Sequence, residues 1–245
     1  MTEKTKGLSG LALKWIAVVT MFVDHLAIAL AGIIPSGAYD GMRIVGRLAF
    51  PLFCFLLVEG FYHTGNIRKY LIRLGVFALI SEIPFDFLLF GRVVYMGYQN
   101  VFFTLFTGLL LLYLYNHFLG NVQPIYAAMT LISMLCLAFV IQCDYGAEGV
   151  LLIFLIYFFH YRPVAMMVSI AVVMAVMGGI EPFGILAIVP IAFYNGRRGG
   201  RVMEEETNEK DMARDFRKGL AAKYFFYCFY PLHLAVLGVL KYLLH

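Results

Sequence analysis

The chain has 245 residues, of which 62% are hydrophobic and 14% charged, and its mean hydropathy is +0.83. A soluble domain with one core does not carry that composition, so the chain reads as an all-α polytopic membrane protein. The net charge of +4 is a membrane signature and does not suggest nucleic acid, because no basic stripe is interleaved with exposed aromatics.

Nine apolar windows follow in chain order, near residues 12–34, 44–62, 70–90, 100–119, 124–142, 148–161, 163–179, 183–195 and 222–243. The windows 148–161 and 183–195 are short against the ~20 residues of a straight span, so eight or ten crossings stay open. Residues 1–245 form a single transmembrane domain, interrupted by a polar stretch, 196–221, that reads as a cytosolic loop. Nine alternating spans from a cytosolic N-terminus put fifteen of the nineteen cations on the cytosolic side, leaving only Arg43, Arg47, Arg92 and Lys241 outside. Lys4 and Lys6 ahead of an apolar run imitate a signal peptide, but Asp24 and His25 interrupt its core and favour a retained first helix. Cys54, Cys136, Cys143 and Cys228 lack paired spacing and read as free thiols, with no metal site.

The chemistry-bearing residues begin in the first window. Lys14 and His25 are eleven residues apart, almost three helical turns, so they share a face and lie roughly 16 Å apart along the axis. An ionisable group at His25's depth is a functional-site hypothesis by default. Histidine at that place is either a general base for acyl transfer or a strut between helices. Asp24 points about 100° away from its neighbour, so its partner belongs to another helix, with Arg47 or Arg43 as candidates; it is a structural ion pair or a catalytic carboxylate. His233, at similar depth on the last window, is a second wall of the same cavity or another strut.

Glu59 and His63 share a face at the cytosolic end of the second window and precede Arg68, Lys69 and Arg73. So many cations at one mouth suit an anionic ligand, because guanidinium grips phosphate in bidentate fashion. The arginines of the 196–221 loop either belong to a solvated connector or meet a phosphorylated cofactor. Glu82 and Asp86 flank Pro84, whose ring is expected to break the helical ladder and open a polar cavity. Asn100, Thr104 and the run Asp144-Tyr145-Gly146 complete the polar set.

Five runs carry a resemblance: Leu13-Lys14-Trp15-Ile16 through Asp24-His25, Gly46-Arg47-Leu48-Ala49-Phe50-Pro51-Leu52-Phe53, Ser81-Glu82-Ile83-Pro84-Phe85-Asp86, Asp144-Tyr145-Gly146 and Phe229-Tyr230-Pro231-Leu232-His233-Leu234. Together they resemble the TraX family, over nearly the whole chain and in the family's order. More distantly, the basic residue followed by ten residues and a histidine is similar to the signature of transmembrane acyltransferases. The resemblance implies a bacterial cytoplasmic-membrane enzyme that takes acetyl from cytosolic acetyl-CoA and passes it to a pilin amino terminus or a sugar hydroxyl. It implies His25, with Asp24, in the catalytic role and Lys14, Arg68 and Arg73 near the cofactor, the Lys14–His25 distance matching a pantetheine arm. Arg47, Glu59, His63, Glu82, Asp86, Asn100 and His233 are then candidates for substrate or cavity contacts. The wider group's paired arginine motif on a later helix has no equivalent here beyond Arg43 with Arg47 and Arg68 with Arg73. A different class remains, a proton-coupled transporter in which Asp24, Glu82, Asp86 and His233 relay protons; no convincing inverted repeat supports it.

Overall fold

A computed structural model describes residues 7–197 and 209–244, with the side chains of the last helix described from residue 224 onward. Its helices are α1 (Gly10–Ala29), α2 (Ser36–Gly46), α3 (Ala49–His63), α4 (Ile67–Phe90), α5 (Val101–Gly120), α6 (Pro124–Val140), α7 (Gly146–Phe158), α8 (Pro163–Met177), α9 (Ile188–Ala192) and α10 (Glu209–Leu244), with a 3₁₀ segment at Glu181–Ala187. Local chemistry fixes the starts. Ser9, Asn66 and Asn100 each accept a hydrogen bond from an amide of the first turn of α1, α4 and α5, and Pro124 and Pro163 open α6 and α8, where the missing N–H leaves no helical bond unmade. Gly91, at φ 65°, ends α4 in the left-handed conformation.

Among the described residues, four stretches are long and apolar enough to cross a bilayer by length and composition: Gly10–Ala29, Ser36–His63, Val101–Gly120 and Tyr224–Leu244. The chain is a helical polytopic membrane protein. Each expected window coincides with described helix, with four differences. α2 precedes the second window and joins α3 through the short Arg47-Leu48 turn, and 183–195 is a 3₁₀ segment followed by a single α turn. Pro84 does not break α4, which runs on for 24 residues. The polar stretch 196–221 is helical from Glu209, continuous with the last span; residues 198–208, and the side chains of Arg214, Arg217 and Lys218, lie outside what is described.

The bundle has two ends, recognisable from cross-helix contacts. At one, Leu8 pairs with Tyr194, Tyr194 donates to Glu59, and Tyr157 donates to Asn116. At the other, Asp24 meets Arg43 and Arg47, Arg47 meets Glu181, and Gln99 pairs with Cys143. Leu52, Leu109, Leu112, Ile153 and Ile156 are fully buried between α3, α5 and α7. α5 and α7 approach closely at Gly108, where a Cβ would lie 2.4 Å from Ile153 Cδ1.

Candidate functional site

At the Asp24 end lies a cavity of about 400 Å³ between α1, α2, α3, α7 and the 3₁₀ segment. Arg47, at the turn between α2 and α3, organises its floor. Its Nη2 donates to Asp24 Oδ2 at 2.6 Å, its Nη1 to Glu181 Oε1 at 2.5 Å and to the Tyr145 hydroxyl at 3.5 Å, and its Nε to the Arg43 carbonyl at 3.3 Å. Arg43 Nη1 reaches the same Asp24 oxygen at 2.7 Å. One carboxylate oxygen thus accepts from two guanidiniums, a charge-assisted arrangement that fixes both arginines. Asp24 Oδ1 and Glu181 Oε2 are buried and have no hydrogen-bond partner among the described residues.

The fit of α2 onto α1 depends on Gly46. A Cβ there would lie 2.3 Å from the Asp24 Cβ and 2.4 Å from Oδ1, so any side chain would push the aspartate away from its arginines. On the opposite wall Tyr145 takes a left-handed conformation at φ 63°, sparsely populated for a non-glycine residue, and stacks on Phe50 with ring centroids 3.6 Å apart. The loops that hold it are tied together by backbone bonds, Gln99 N to Gln142 O at 2.9 Å and Asp144 N to Gln99 O at 2.7 Å. Thr104 donates to the Asp144 carbonyl, and Tyr98 donates to Asp144 Oδ1 at 2.7 Å. Burial pushes the Asp144 carboxyl up to about 6, against the opposing pull of the Tyr98 hydroxyl and the Arg47 charge.

His25 lines the cavity from α1, and behind it stands His233 of α10, with His25 Nδ1 and His233 Nε2 2.8 Å apart. The proton positions follow from the chain of bonds. His233 Nδ1 is 2.7 Å from the Phe229 carbonyl, which only accepts, so Nδ1 carries the hydrogen. In the neutral ring Nε2 then accepts, His25 donates to it from Nδ1, and the lone pair of His25 is left on Nε2. The second histidine orients the first.

The other residues singled out in the sequence lie outside the lining of this cavity, in four places. Lys14 sits over the Phe226 ring at 5.7 Å, and the stripe from Lys14 to His25 is covered by α10, with Trp15 against Phe225 and Phe226 and Phe22 against Phe229. Arg68 is exposed at the start of α4, while Arg73 lies over the Tyr70 ring at 5.6 Å with its Nε buried and unpartnered among the described residues. Glu59 is at the opposite end, accepting from Tyr194 at 2.9 Å and lying 3.5 Å from His160 and 4.0 Å from His63. Glu82 accepts from Asn100, which also donates to the Ala78 carbonyl, and Asp86 accepts from the Tyr95 amide at 2.6 Å. These last two carboxylates anchor the start of α5 and the loop before it.

Sequence reading did not find Glu181, Glu148 or Tyr98. Glu181 had one available signal: it follows Gly178-Gly179 at the end of an apolar window and, by alternation of spans, falls at the same end as Arg47. Among the described residues no group of three or more potential ligands could hold a metal.

A family model described as TraX protein matches residues 9–241. The probable fimbrial assembly protein FimC, serogroup H1, of Dichelobacter nodosus is 32% identical over 255 residues, covering 94% of each chain. No solved structure matches.

Proposed function

The chain belongs to the TraX family, and from that premise we propose that it is a membrane acetyltransferase that moves an acetyl group from acetyl-CoA to an amine acceptor in the Asp24–His25 cavity. The observation that carries the reading is the histidine pair, in which His233 leaves His25 with a lone pair on Nε2 at a polar cavity wall. The acceptor amine attacks the thioester carbonyl. The bound ammonium first loses one proton to water, the C–N bond forms as the C–S bond breaks, the second amine proton passes to His25 Nε2, and His25 hands it to the CoA thiolate as it leaves.

The preference for an amine over a sugar hydroxyl is electrostatic. Four carboxyl groups, Asp24, Asp144, Glu148 and Glu181, line the cavity against two guanidiniums, and the buried Asp24 Oδ1 and Glu181 Oε2 are acceptors that an ammonium can satisfy. The likeness to a probable fimbrial assembly protein supports a pilus subunit's amino terminus as that amine. Lys14, Arg68 and Arg73 lie toward the other end of the bundle and would hold the phosphates of CoA there, with the thioester passing along the α1–α10 seam. The Phe226 and Phe229 rings fill that seam, so α10 must part from α1 to admit the pantetheine arm. By the cation bias that end faces the cytosol of a bacterial inner membrane.

Purified protein in liposomes, given labelled acetyl-CoA with an N-terminal peptide amine or a sugar alcohol, distinguishes the possibilities. Labelled peptide amide is the expected product. Transfer to the sugar alone would overturn the amine assignment, and absence of acetyl-CoA binding would favour proton-coupled transport.

A further inference from the structure

One side of the bundle is too short for an unperturbed bilayer. α8 has 15 residues and so spans about 22 Å. The segment that returns beside it, seven residues of 3₁₀ helix and five of α, spans about the same. These elements run between the two ends of the bundle, since Glu181 bonds Arg47 at one and Tyr194 bonds Glu59 at the other. The hydrocarbon core of a typical membrane is about 30 Å thick. α1 and α5, at 20 residues, match it, and α4 is longer still at 24.

The short side faces outward. Val164, Val168, Val172 and Val176, spaced four residues apart on α8, are 74%, 56%, 55% and 74% exposed, and Leu186 and Val189 continue the surface next to them. Charge brackets this strip: Arg162 caps one end of α8 and Glu181 follows the other. A helix that is too long tilts, but one that is too short cannot lengthen, and drawing Arg162 or Glu181 into hydrocarbon is costly. We propose that this face is a membrane-thinning surface: the bilayer against α8 and Glu181–Ala192 is locally compressed to about 22 Å, while it keeps its ordinary thickness around α1, α4 and α5. Val176, Met177 and Glu181 also border the cavity. Compression there brings bulk water and the membrane surface to the cavity rim, shortening the path by which an acceptor reaches His25; this consequence rests on the acetyltransferase reading, whereas the thinning does not.

Spin labels test it without any assay of activity. In a background with Cys136 and Cys228 replaced by Ala, labels go on Tyr161→Cys and Ile180→Cys, which flank the strip, and on Val168→Cys and Val172→Cys within it, in dioleoyl phosphatidylcholine liposomes. Thinning predicts that a water-soluble nickel chelate relaxes the two flanking labels while oxygen relaxes the two central ones. Oxygen dominating at either flank means ordinary thickness and overturns the proposal. Chelate access at the centre, which means the segment does not lie in hydrocarbon, overturns it too. So does spin–spin broadening at the centre, which means a second copy covers the strip. Unmodified protein gives a second readout: its thermal midpoint should be higher in myristoleoyl than in eicosenoyl phosphatidylcholine, and the reverse order contradicts the proposal.

Discussion

Arg47 uses all three of its nitrogens on four partners, so its replacement tests the polar floor of the cavity more sharply than any other residue. Lysine keeps the charge but lacks the planar fork, and cannot reach Asp24 and Glu181 together. Arg47→Lys should therefore lower acetyl transfer while leaving acetyl-CoA binding near its normal level. Arg47→Leu leaves Glu181 without its cation and Asp24 with Arg43 alone, and should cost roughly 3–5 kcal/mol in unfolding measurements. Gly46→Ala should mimic that loss without touching a charge, because its Cβ occupies the space of the Asp24 side chain. An alanine variant with unchanged stability and activity would show that Asp24 moves freely. Asp144 supplies the pH test. Its folded carboxyl titrates near 6, above its ordinary value, so the stability it contributes is present at low pH and is lost as pH rises through about 6. The thermal midpoint of wild type should fall between pH 5 and 7 relative to Asp144→Asn, and parallel profiles for the two proteins would remove Asp144 as the cause.

At the scale of elements, the windows of apolar residues were legible because a bilayer demands long uninterrupted runs with every backbone group bonded internally. α2 was not legible as a helix: Gly37, Asp40 and Gly41 give it the composition of a loop, and only its packing on α1 makes it regular. The pairing of Asp24 with Arg43 and Arg47 could be anticipated, since a buried carboxylate needs a cation and these are the two at the matching end of the next window. Depth alone suggested His233 as a second wall of the His25 cavity or a strut, but their direct contact could not be read, because 208 residues separate them and nothing in one chain sets the register of α1 against α10. Pro84 misled in the other direction, since neighbouring helices tolerate a proline without ending α4. Interhelical distance offers its own test: at Gly108, Val in place of Gly must displace Ile153 and should destabilise the protein by about 1–3 kcal/mol. A smaller loss would mean that α5 and α7 slide apart easily.

For the whole molecule, contacts sort the loops into two sets, and alternation of spans assigns the same two sets. Which set faces the cytosol is a separate matter, argued from fifteen cations against four. A reporter fused after residue 205 should read cytosolic and one after His245 should read external; the same side for both removes the nine-span arrangement. The arrangement also gives the proposed chemistry its geography, with candidate phosphate-binding cations at one end and, at the other, the proposed acceptor cavity with the histidine pair in its wall. The measurement that bears most directly on it is transfer of labelled acetyl from acetyl-CoA to a peptide amine in liposomes, comparing wild type with His25→Ala and His233→Ala. A positioned base is worth about 10² to 10⁴ in rate, so His25→Ala should lose that much while still binding acetyl-CoA, and His233→Ala, which only orients His25, should lose less. Turnover by His25→Ala within a few-fold of wild type would make His25 a strut between helices and contradict the mechanism.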